Sequence, residues 1–187
     1  HGFINSYLME VQENKVKATI VPPSTTPQNR SRWIPPAPGY AKFNSDGAVS
    51  RHGIGSIGVI CRDQGGTFLG ASTLVFRFIS DPPTLEALAI REAMSLAKDL
   101  YTQRIQVASD CKVVVDDIQK RCLASYGAIV QEIIDISDSF ISCNIHECRS
   151  SNVKTYNLAK HAITLDGGRH VWLGHPGNLL SIPINIM

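Results

Sequence analysis

The run Asp81-Pro82-Pro83-Thr84 divides this chain into two kinds of pattern, and that division restricts the possible folds more than any other feature. Paired prolines cannot continue a central strand, because each lacks the N–H that a ladder needs. They suit the entry to a helix, with Asp81 or Thr84 available as N-cap. Before them, short runs at about 40–48, 54–63 and 66–78 read as three strands joined by hairpins. After them, apolar residues recur at Leu85, Leu88, Ala89, Met94, Leu96, Ala97 and Leu100, the spacing of a helix over 84–101 packed on a sheet. The remainder alternates: a strand over 104–109, helices near 111–122 and 127–139, a strand over 140–148 and a helix over 152–165. A meander followed by strand–helix alternation implies an α/β domain with a mixed five-stranded sheet and helices on both faces.

Three carboxylates fall at the ends of these elements. In Lys42-Phe43-Asn44-Ser45-Asp46-Gly47-Ala48, alternation puts Lys42, Asn44 and Asp46 on one face and Phe43 and Ser45 on the other. Gly47 allows either a turn or a close approach beside the acid, and an ordinary Asp-Gly turn ending the strand is the plain alternative. Glu86 is expected in the first turn of its helix, where the macrodipole favours an anion whatever its function. Asp110 closes Ile105-Gln106-Val107-Ala108-Ser109-Asp110 just before a helix, so Ser109 or Asp110 can serve as N-cap. The carboxyl end of a strand in an open α/β sheet is also where ligands usually bind. Each acid has a bland explanation, but the set of three converging on one metal-binding cleft is harder to dismiss.

The chain of 187 residues is sized for one domain plus a tail, and no apolar run approaches the ~18 residues that suggest a membrane span. The net charge of +2 is low for a protein held to nucleic acid mainly through phosphates. Arg51, Arg62, Arg77, Arg104, Lys112 and Lys120 are scattered, and solvated surface is the simpler role for each. Five cysteines, Cys61, Cys111, Cys122, Cys143 and Cys148, lack paired CxxC spacing, which argues against a disulfide framework or a zinc site and for an intracellular compartment, nucleus or cytoplasm. Gly53-Ile54-Gly55-Ser56-Ile57-Gly58 fits GxGxxG but runs on into a strand, so no helix opens where a dinucleotide's phosphates need one. His146 reads as a structural histidine, and His170 and His175 are too irregularly placed for a metal site. Residues 1–32 are expected to form a short helix (7–20) and a Pro/Ser/Thr-rich linker, 33–166 the domain, and 167–187 an apolar tail. The chain opens on His1, as a start inside a longer product or a processed end would give, so missing targeting signals carry no weight.

The ordered motifs resemble the ribonuclease H superfamily, and most closely its plant, reverse-transcriptase-associated domains of retrotransposon type. Trp33 with Pro35, Pro36 and Gly39 is similar to the family's entry motif, 42–48 to its first strand and 55–63 to its second. Leu85-Glu86-Ala87 through Ala97 is similar to its first helix, and Val107-Ala108-Ser109-Asp110-Cys111 to the fourth strand and its acid. Arg149-Ser150-Ser151-Asn152 with Leu158-Ala159-Lys160 resembles the last helix entry. The resemblance implies a ribonuclease H-like fold and hydrolysis of the RNA strand of RNA/DNA hybrids. Asp46, Glu86 and Asp110 would be catalytic and hold two Mg²⁺ or Mn²⁺ ions roughly 3.5–4 Å apart. Asn44 and Ser109 would contact substrate. The sequence departs from the family at the fourth active-site position, where Tyr156 stands in place of an acid or histidine; a neutral phenol is a poor ligand for a hard cation. Asn157 or His161 would stand in only if the matching shifts. A catalytically weak or inactive module binding nucleic acid or a protein is the competing expectation, and the residues leave the oligomeric state open.

Overall fold

The structure is a computed structural model and describes residues 33–122, 124–148 and 152–174. The expected helix at 7–20, most of the linker, Arg149-Ser150-Ser151, His175 and the apolar tail beyond it lie outside the described residues.

The expected meander is formed by β1 (Ala41–Val49), β2 (Gly55–Arg62) and β3 (Phe68–Phe76), paired antiparallel in sequence order. Helix α1 (Pro82–Asp99) begins at the first proline, with Asp81 as N-cap accepting the Thr84 N–H at 3.0 Å. It returns the chain so that β4 (Arg104–Ser109) enters parallel to β1. Helices α2 (Lys112–Lys120) and α3 (Gly127–Ser137) follow, and β5 (Ser142–Glu147) adds parallel to β4. Helix α4 (Val153–Ala162) leads to β6 (Arg169–Leu173), antiparallel to β3 at the far edge.

The sheet therefore has six strands, ordered β5-β4-β1-β2-β3-β6, where the sequence pattern implied five. The sixth falls in the expected tail, where Gly167, Gly168 and Gly174 bracket a run of five residues too short to show a period. Tertiary contacts supply what local pattern lacks: Arg169 pairs with Glu92 at 2.8 Å and with Asp99 at 2.6 Å, tying the edge strand to α1.

Alternation in β1 and β2 separates two packing layers. Phe43, Val59 and Cys61 face α1 and join Ile90, Met94, Ile105, Val107 and Ile133 in the main core. On the other face, Ile60 and Ala71 meet Leu158 of α4. Gly58 sets the approach of that helix, since a Cβ there would lie 2.7 Å from the Thr155 carbonyl oxygen and 2.8 Å from the Ala159 nitrogen. Ser56 fixes the same contact by donating to the Ala159 carbonyl at 2.6 Å. Of the GxGxxG glycines, Gly55 and Gly58 serve close packing in β2, whereas Gly53 has open space around it and supplies the positive φ of 75° in the hairpin turn. Lys42, although charged, is 1% exposed; its ammonium donates to the Ile34 carbonyl at 3.0 Å and sits 5.2 Å from the Trp33 ring centre.

Candidate active site

Parallel pairing of β1 with β4 brings the carboxyl ends of both strands to one edge of the sheet. Asp46 lies in β1 and is 5% exposed, Glu86 reaches in from α1 and is 9% exposed, and Asp110 follows β4 in an exposed position. One oxygen from each acid lies within 4.8 Å of the other two. These residues line an open cleft of about 420 Å³, whose remaining wall is Asn152, Val153 and Tyr156 at the start of α4.

Local structure explains how the acids are held. The Asp-Gly pair is no turn: β1 continues through Gly47 to Val49. A Cβ at Gly47 would come within 3.0 Å of the Leu85 Cβ and 3.3 Å of Glu86 Oε1, so glycine is what lets α1 approach. Its backbone N–H donates to Glu86 Oε1 at 3.0 Å, and the Ser109 hydroxyl donates to Oε2 at 3.1 Å. Both Glu86 oxygens are therefore oriented from neighbouring strands. Because α1 begins at Pro82, Glu86 falls in the second turn, beyond the end effect expected for it, and it is buried rather than solvated. Neither Ser109 nor Asp110 is the N-cap of α2: that position is Cys111, which makes no side-chain cap bond, and the Ser109 Oγ instead accepts the Cys111 N–H at 3.1 Å in the turn ahead of the helix.

Ser109 and Asn44 were expected to touch substrate, yet they are 0% and 4% exposed and neither lines the cleft. Asn44 donates to Asn152 Oδ1 at 2.9 Å, and Asn152 donates to the Ser45 carbonyl at 3.0 Å. This amide pair clips the start of α4 onto β1. Asn152, expected only as part of the last helix entry, and Val153, which the sequence did not single out, are both cleft residues. Tyr156 occupies the wall of the cleft, with neither Asn157 nor His161 among its lining residues. His146 is half-buried on β5, and burial and the Lys42 charge hold its pKa low.

Crowding of the acids perturbs them strongly. Burial, then the Glu86 and Asp110 charges, push the Asp46 pKa up to about 9. Burial also raises Glu86, opposed by the Gly47 N–H and the Ser109 hydroxyl. Without a counter-charge, Asp46 holds a proton at neutral pH. Three hard oxygen donors at this spacing fit Mg²⁺ or Mn²⁺, which prefer carboxylate and water oxygens.

A family model described as reverse transcriptase-like matches residues 44–162, from β1 through all three acids to the end of α4. The chain belongs to this family, within the ribonuclease H superfamily. No curated protein sequence matches this reverse transcriptase-like chain. Its fold is that of solved ribonucleases H. RNase H1 of the halophilic archaeon Halobacterium salinarum aligns at 15% identity over 67% of this chain and 98% of its own, with a TM-score of 0.61. The N-terminal RNase H domain of a Mycobacterium tuberculosis protein, solved as a maltose-binding-protein fusion, aligns at 18% identity over 67% and 94%, with a TM-score of 0.60. LC11-RNase H1, solved with an RNA/DNA hybrid, aligns at 18% identity over 66% and 96%, with a TM-score of 0.59. At such identities the likeness establishes the architecture, and function rests on the site.

Proposed function

We propose that this reverse transcriptase-like domain is a metal-dependent endoribonuclease acting on the RNA strand of RNA/DNA hybrids. The observation that carries the reading is the convergence of Asp46, Glu86 and Asp110, each from a different element, on one open cleft. Keeping three acids this close without a cation is costly, and a cleft that retains them has a use for that charge.

Asp46, at the centre, would hold the divalent ions with Glu86 and Asp110, in place of the proton it otherwise carries. When bound, Mg²⁺ or Mn²⁺ supplies the positive charge that activates water and stabilises the departing oxygen. Gly47 and Ser109 fix the Glu86 carboxylate, so it need not reorganise during reaction. Asn152 holds α4 against β1 and thereby sets the width of the cleft. The open side of the cleft admits a backbone, and selection of RNA would rest on its 2′-hydroxyls in the wide minor groove of the hybrid.

Tyr156 in the cleft wall favours a second reading, a module that binds hybrids and cleaves them weakly or not at all. Cleavage of an end-labelled hybrid in Mg²⁺ and Mn²⁺ by the native chain and by Tyr156→Asp separates the two. Cleavage by the native chain supports the nuclease. Binding without cleavage, with activity gained in Tyr156→Asp, supports the module.

A further inference from the structure

Val153, Tyr156 and Lys160 stand at i, i+3 and i+7 on α4, one face of the helix, while Leu158, Ala159 and Ala162 bury its other side. That exposed ridge borders the acids: Val153 is 56% and Tyr156 41% exposed, and both line the cleft. The Lys160 ammonium lies 4.8 Å from the centre of the Tyr156 ring. A surface cation–π pair adds little to stability. At the rim of a cleft built for a phosphodiester, however, it offers an apolar plate and a positive charge side by side.

Building on the hybrid-nuclease reading above, we propose that Tyr156 and Lys160 form a substrate contact seating the nucleotide next to the cleft, the phenol ring packing on its sugar and the ammonium pairing with its phosphate. Paired bases in a duplex are already stacked on each other, so a protein wall meets sugars and phosphates first. A ring one helical turn from a lysine matches that alternation of apolar sugar and charged phosphate. The neutral Tyr156 also puts no negative charge in the path of the incoming backbone. The position that departs from the family's ligand pattern thus becomes a binding position.

The test is fluorescence anisotropy with a labelled RNA/DNA hybrid in Ca²⁺, across a salt series, with a gel confirming that the hybrid stays intact. Tyr156→Ala is expected to weaken binding about 5- to 30-fold, whereas Tyr156→Phe binds as the native chain does. Lys160→Gln is expected to lower the slope of log K against log salt by about 1. Lys98→Gln, exposed and roughly 18 Å along α1 from Glu86, leaves that slope unchanged. Native binding with unaltered affinity in Tyr156→Ala and an unaltered slope in Lys160→Gln overturns the contact alone. No binding by the native chain overturns the hybrid reading and the contact with it.

Discussion

Replacing Asp46 by Asn should stabilise the metal-free protein while removing its capacity to gain stability from a divalent ion. The folded-state pKa of Asp46, about 9, lies above its ordinary value of 3.8, so the proton favours the fold. That contribution is complete below about pH 4 and is lost as pH rises towards 9. At about 1.4 kcal/mol for each unit between the ordinary value and pH 7, the penalty on the ionised cluster is bounded at roughly 4 kcal/mol. Solvent around the exposed Asp110 reduces it, and an expected gain of about 1–3 kcal/mol for Asp46→Asn follows. For a chain of this size each kcal/mol raises Tm by about 2–4 °C. Thermal melts in EDTA at pH 5, 7 and 8.5 should show the variant above the native chain by a margin that widens with pH. Added Mg²⁺ or Mn²⁺ should raise the native Tm and leave the variant's nearly unchanged. A native chain as stable as Asp46→Asn in EDTA at pH 8.5, or a margin that shrinks with pH, would refute the electrostatic reasoning.

Two further substitutions probe the frame around the site. Gly58→Ala forces a methyl group against the backbone of Thr155 and Ala159 and should cost about 1–3 kcal/mol, read as a lower urea midpoint at unchanged m-value. Because α4 carries the cleft wall, hybrid affinity should fall in the same variant. Arg169→Met strips Glu92, 6% exposed and already raised in pKa by burial, of its ion-pair partner. A loss of about 1–3 kcal/mol at pH 7 is expected, shrinking as pH falls and Glu92 takes up a proton; a pH-independent loss would mean that the pairing does not hold β6.

How legible the molecule was depended on whether structure followed from neighbours in sequence. In β1, strict alternation assigned Phe43 to the core and Lys42, Asn44 and Asp46 to the opposite face, and the structure agrees. The paired prolines marked the start of α1 for the same reason, their backbone being restricted wherever they stand. β6 was missed because five residues between glycines carry no period; its place depends on ladder bonds to β3 and on Arg169, which are contacts at long range. The three acids were visible at element ends, and their convergence followed from that placement and from the family resemblance, not from any one of them alone. Each had a cap, turn or dipole explanation until β1 and β4 were seen side by side. Ser109 and Asn44 show the reverse limit: a polar residue beside an acid looks the same in sequence whether it faces substrate or braces the acid from within. Here both brace, through Glu86 and Asn152.

The central claim is tested most directly by hybrid cleavage with the RNA and DNA strands labelled separately, comparing the native chain with Asp46→Asn in Mg²⁺ and in Mn²⁺. The account predicts internal cuts in the RNA strand alone, dependent on the metal and abolished in Asp46→Asn. An intact RNA strand with the native chain in both metals, or equal cleavage by Asp46→Asn, would contradict it.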